Sequence, residues 1–192
     1  MRTAELRRET KETKIWVKLE LDGEGKADVS TGIGFLDHML NTLARHSSID
    51  LFVRAEGDLY VDQHHTVEDI GICLGTALKE ALGDKRGIKR FGFAIVPMDE
   101  ALALVSIDIS GRGGFWKDFE LKKTLLGSFE VETISEFFRQ LAFNAKITLH
   151  MQLLSGDNLH HMIEALFKAF SIALKEAIKE EGDEIPSVKG TL

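Results

Sequence analysis

The chain has 192 residues, with 24 Lys+Arg against 31 Asp+Glu for a formal net charge of −7, and is 44% hydrophobic and 29% charged. These values exclude a disordered or low-complexity chain and, with no basic block, a general nucleic-acid binder. The single cysteine, Cys73, excludes an internal disulfide and any Cys-based zinc cluster; no apolar run nears the ~20 residues of a membrane helix; and the charged start MRTAELRRETKETK is not a signal peptide, so the cytoplasm is the expected compartment.

In chain order, TKIWVKLEL (13–21) alternates apolar and polar and predicts a half-buried strand. DGEG (22–25) predicts a turn and KADVS a second strand. GFLDHMLNTLARHS (34–47) predicts a helix. An apolar strand from Ile49, a Gly-Asp turn, the run HHTVE (64–68) and an amphipathic helix follow, to Leu82. Strands are then expected at FGFAIVPM (91–98), ALALVSIDI (101–109) and GGFWKDFEL (113–121), and a helix at SEFFRQLAFNAK (135–146). ITLHMQLLSGDN leads to HHMIE (160–164), inside a helix expected over 158–179. There Leu159, Met162, Ile163, Leu166, Phe167, Phe170 and Leu174 recur at spacings of three and four, and Gly182 and Pro186 end the pattern.

The second order repeats the first. Each part runs strand, Gly-Asp turn, His-His-x-x-Glu and amphipathic helix, after an upstream helix. This reads as an internal duplication with halves of 1–90 and 91–192. Strands mixed with helices in two like units predict an α+β fold, each half a sheet covered by two helices. No Pro/Ser-rich linker separates the halves, so they are expected to pack as one body.

The His pairs carry the chemistry. On a helix His64 and Glu68 share a face, and His65 and Glu68 lie nearly as close. Adjacent imidazoles point ~100° apart, so one pair serves two ions, one on each side, better than it chelates one. Imidazole with carboxylate suits Mn, Fe, Zn or Co, and without thiolates a harder ion such as Mn²⁺. A single such motif reads equally as a helix start stabilised by Glu; two copies in matching positions favour metal. His38, in LDHML, is a further candidate ligand, and His150, on a strand, reads as structural. HHxxE is not the HExxH of zinc proteases, and the inverted HxxEH form, a phosphate loop and a Gly-x-Ser-x-Gly elbow are absent. Cys73, within IGICLG, reads as a packed core thiol. A dinuclear phosphate-ester hydrolase and a non-catalytic metal-storage or assembly protein both remain compatible with these motifs.

GFLDHML, GDLYVDQHHTVEDIGICLG, MDEAL, SGR, GDNLHHMIEALFKAF and the closing PSVKGTL, together spanning about Arg8 to Leu192, resemble the imidazoleglycerol-phosphate dehydratase family of histidine biosynthesis. The resemblance implies two α+β halves, each a four-stranded sheet with two helices. It also implies a homo-oligomer of 24 subunits built from trimers, with active sites at subunit contacts and two Mn²⁺ per site. Its ligand sets are His64, His160 and Glu164 with a fourth donor for one ion, and His38, His65, Glu68 and His161 for the other. The fourth donor falls at Glu136, where the family often has His. The substrate is a phosphate ester with an imidazole ring. The resemblance places its phosphate at Arg90, Arg112, Lys168, Ser187 and Lys189, its other contacts at Glu12, His38 and His46, and the proton-transfer role at Glu12, Asp99 or Glu164. The proton to be removed has no adjacent carbonyl, so a simple base does not suffice. Two Lewis-acid ions on the ring nitrogens, stabilising an imidazolate that expels hydroxide, offer a route.

Overall fold

The computed structural model describes residues 1–192. Its elements are β1 (Thr3–Glu9), β2 (Thr13–Glu20), β3 (Ala27–Ser30), α1 (Gly34–Ser47), β4 (Asp50–Gly57), α2 (His64–Leu82), β5 (Phe91–Met98), β6 (Ala101–Asp108), β7 (Gly114–Asp118), β8 (Leu125–Leu126), β9 (Phe129–Glu130), α3 (Thr133–Ala145), β10 (Thr148–Ser155) and α4 (Leu159–Ala177). Two four-stranded sheets, ordered β1-β2-β4-β3 and β5-β6-β10-β7, repeat one topology. In each, a hairpin pairs antiparallel to a strand that is parallel to the fourth.

Alternation builds the sheets: Thr13, Ile15, Val17 and Leu19 of β2 point into the core, as do Ala101, Ala103, Val105 and Ile107 of β6. α1 and α2 rest on the first sheet and α3 and α4 on the second, while α1 packs against α4 and α2 against α3. The four helices therefore lie between the sheets, and 50 buried apolar residues form one core. Phe137 and Phe138 of α3 meet Phe167 of α4 there, with Phe138 also against Phe170. The α2–α3 crossing is close because α2 carries Gly71 and Gly75; a Cβ at Gly75 would stand 2.5 Å from Leu141 O.

The structure corrects some expected boundaries. The charged N-terminus is an edge strand, β1, whose Ala4 and Leu6 reach the core while Arg7 and Glu9 face solvent. The strand expected to reach residue 121 stops at Asp118, and β8–β9 form a small unpredicted hairpin. α4 ends at Ala177, earlier than Gly182. No helix is long and apolar enough to cross a membrane.

Candidate metal centre

The first turns of α2 and α4 carry the two His-His-x-x-Glu runs, and the helix packing decides what they meet. α4 lies against α1, which brings His160 and Glu164 to His38. Ligand atoms of these three residues all lie within 4.8 Å of one another. Glu164 Oε2 stands 3.2 Å from His160 Nε2 and 3.6 Å from His38 Nε2, while Oε1 accepts from Lys168 Nζ at 2.8 Å. Burial pushes the Glu164 carboxyl up, but the Lys168 hydrogen bond and the surrounding Lys168, His38 and His160 charges outweigh it and hold the group below its ordinary value.

α2 lies against α3, which brings His64 and Glu68 to Glu136. His64 Nε2 is 3.9 Å from Glu68 Oε2, and the Gln140 side-chain amide donates to both Glu68 Oε1 (3.0 Å) and Glu136 Oε1 (2.7 Å). The two clusters occupy matching places in the two similar halves. Leu36, Met39, Leu40 and Leu43 of α1 take the core places of Ile134, Phe137, Phe138 and Leu141 of α3, which sets His38 and Glu136 at equivalent positions. The second cluster opens on a cleft of about 320 Å³ lined by His64, Glu136, Arg139, Lys117 and Lys123.

The grouping differs from the ligand sets implied by the family resemblance. Within one chain His38 joins His160 and Glu164, not His65, Glu68 and His161; His64 joins Glu68 and Glu136, not His160 and Glu164. The cause is that each ligand helix packs on a helix of the other half, a pairing that spacing along the chain does not encode. The remaining two imidazoles turn away from both clusters, as the ~100° between neighbours on a helix requires. His65 Nδ1 lies 2.9 Å from Asp58 Oδ2 and 3.7 Å from Glu12 Oε2. His161 Nδ1 lies 2.8 Å from Glu100 Oε2, and its Nε2 3.9 Å from Asp99. The hydrogen bond that His65 donates to Asp58 raises the His65 pKa, and that from His161 to Glu100 raises the His161 pKa. Glu100 in turn is drawn down to about 2 by His161 and the Asn158 amide.

The proposed phosphate ligands divide. Arg90 pairs with Asp108 at 2.7 Å and donates to Pro186 O at 2.8 Å, which docks the segment carrying Ser187 and Lys189. Arg112 stands on the neighbouring turn after Ser110 and donates to Ser110 O at 3.4 Å. Lys168 is elsewhere in the chain, on Glu164 beside His46, whose pKa is lowered by burial and by Lys168. Burial likewise pushes the Cys73 thiol up to about 12, so it is an inert core group. Two residues that support the site escaped the sequence reading: Asp58 was hidden in a Gly-Asp turn, and Gln140 has no chemistry of its own to flag it, whereas Glu100 falls in the MDEAL motif beside Asp99.

Residues 31–174 match the family model described as imidazoleglycerol-phosphate dehydratase. Proteins of that name from Caldanaerobacter subterraneus subsp. tengcongensis and Methanosarcina mazei are 58% and 56% identical to this chain, each alignment covering 100% of both proteins. Crystal structures of the dehydratases from Pyrococcus furiosus and Staphylococcus aureus superpose with TM-scores of 0.84 at 41% and 40% identity, covering 97% and 93% of this chain and 100% and 99% of theirs. Fold and sequence together define a hydro-lyase of two like sheet-plus-helix halves. The chain belongs to the imidazoleglycerol-phosphate dehydratase family.

Proposed function

We propose that this chain dehydrates imidazoleglycerol phosphate to imidazoleacetol phosphate, the histidine-biosynthetic step its relatives are named for, in the cytoplasm and with two Mn²⁺ per active site. The observation that carries the metal reading is the matching pair of clusters, His38/His160/Glu164 and His64/Glu68/Glu136. His38, His160 and Glu164 offer three converging donors of the mixed imidazole–carboxylate kind that Mn²⁺ accepts, and Glu68 and Glu136, bridged by the Gln140 amide, stand with His64 at the matching place of the other half. When bound, the ions supply Lewis acidity toward the substrate's imidazole nitrogens. Each cluster lacks a fourth protein donor, while His65 and His161 face away from their own chain's clusters. Donation of these two imidazoles across contacts between copies accounts for both facts and agrees with a 24-subunit assembly built from trimers.

The chain's own carboxylates then sort by what already engages them. Both oxygens of Glu164 are committed, to Lys168 on one side and to two imidazoles on the other. Glu12 accepts no hydrogen bond through its carboxylate, and Asp99 is 73% exposed with only His161 nearby. Glu12 and Asp99 are therefore the groups free to take the substrate's carbon-bound proton and to deliver one to the departing hydroxyl. Arg90, Arg112, Ser187 and Lys189 provide charged and hydroxyl donors for a phosphate dianion.

The test is incubation of chelator-treated chain with imidazoleglycerol phosphate, before and after Mn²⁺ return, following the ketone. Ketone formed only after Mn²⁺ return is the expected result. Release of inorganic phosphate would instead identify a phosphate-ester hydrolase, and no product in either arm would refute the assignment.

A further inference from the structure

The two halves differ at one buried place in a way the fold does not require. In the first half Asp69, 7% exposed, accepts a hydrogen bond from Thr13 Oγ1 and an ion pair from Arg8 Nε at 3.1 Å. The strand registers and the aligned helix starts set Arg8, Thr13 and Asp69 on Val96, Ala101 and Ala165 of the second half. There the same junction of hairpin and helix is apolar, with Ala101 and Ala165 fully buried. An apolar version therefore packs well on this scaffold, and burying a charged pair is commonly no more stabilising than the hydrophobic alternative.

The carboxylates at the hairpin tips explain the difference. Glu12 and Glu100 occupy matching positions. Glu100 ties its hairpin to the start of α4 by accepting from the Asn158 amide at 2.7 Å and the Asp157 amide at 3.3 Å, and it holds His161. In the first half Asp58 holds His65 instead; its counterpart by register is Asp157, whose amide donates to Glu100, the residue that holds His161 there. Glu12 is thereby released, and its hairpin needs another anchor. We propose that the Arg8–Asp69–Thr13 triad is that anchor, and that Asp69 is a positioning residue which fixes the β1–β2 tip while leaving the Glu12 carboxylate free of hydrogen bonds, 3.7 Å from His65, for substrate. The inference rests on the dehydratase reading for the role of Glu12.

The test copies the second half into the first. Thr13→Ala/Asp69→Ala, purified as the Mn²⁺-loaded assembly, is expected to fold and to keep its metal content. Its kcat/KM should fall about 10- to 100-fold, the cost of a displaced reacting group, with the loss mainly in kcat. Adding Glu12→Gln to this variant should cost less than it costs the parent, because the anchor acts through Glu12. Independently of activity, amide exchange at Thr13 and Asp58, which bond Thr10 Oγ1 and Glu12 O, should quicken at least about tenfold, the size expected when a local tie is lost. Full activity, losses that add to those of Glu12→Gln, or unchanged exchange would each overturn the proposal. Should the double variant not fold, Asp69→Asn, nearly identical in shape, carries the same measurements. A parent chain that makes no ketone refutes the dehydratase reading and the positioning role with it, while exchange still reports whether the anchor exists.

Discussion

Glu136 gives its cluster two carboxylates and one imidazole, where the cluster of His38 has two imidazoles and one carboxylate. Removing it leaves His64 and Glu68 alone on their side of the chain. Glu136→Ala should therefore lower Mn²⁺ content at one site only, and Glu136→His should retain both ions, since imidazole is an equally suitable donor; metal counts at limiting free Mn²⁺ check both. Equal counts for all three proteins would leave Glu136 as the partner of Gln140 and Arg139 and nothing more. Lys168 poses a similar choice. Its ion pair with Glu164 keeps a buried carboxylate charged, and the family resemblance also gives it the substrate phosphate. Lys168→Ala should raise KM about 10- to 100-fold, matching roughly 1.5–3 kcal/mol for a charge-assisted contact. An unchanged KM, with Arg90→Ala raising it, would assign Lys168 to Glu164 alone.

At the scale of helices and strands, much was legible in the sequence. α1 and α4 follow from apolar residues at spacings of three and four, and β2 from strict alternation. β1 was not, because its outward residues are charged and only Ala4 and Leu6 point inward, too few to announce a strand beside so many Arg and Glu. The eight residues expected to ligate metal were legible as residue types, but which of them meet within one chain was not. It depends on which helix packs on which, and Gly71 and Gly75 decide that by letting α2 approach α3, a contact invisible in any one segment. One tie between elements carries a pH dependence. Glu176 near the end of α4 binds Lys89 and accepts from the Phe93 amide, and these bonds lower its pKa below the ordinary 4.5. A carboxyl lowered in the folded state contributes stability in full above its unfolded value, and loses it as pH falls through the lowered one. Glu176→Gln should therefore be less stable than the parent at pH 7, by urea midpoint on the chelated chain, with the gap closing below pH ~4.5. A gap that is constant with pH would contradict the pairing.

On the scale of the whole molecule, the helices fill the space between the sheets and leave the outer sheet faces open. Phe93, at 70% exposure, Ile95 and Trp116 stand on the outer side of the second sheet. His65 and His161 point outward as well. We propose that these faces and the two imidazoles meet in an assembly of like copies. Chelation should break the particle into smaller species by size measurement, and Mn²⁺ should restore it; an unchanged particle would mean that the ions do not link subunits. The central claim, two ions held by matching clusters of the two halves, is tested most directly by counting Mn²⁺ per chain in the size-purified assembly. The account predicts two per chain. A count of one, or none, in an assembly that still forms the ketone would contradict it.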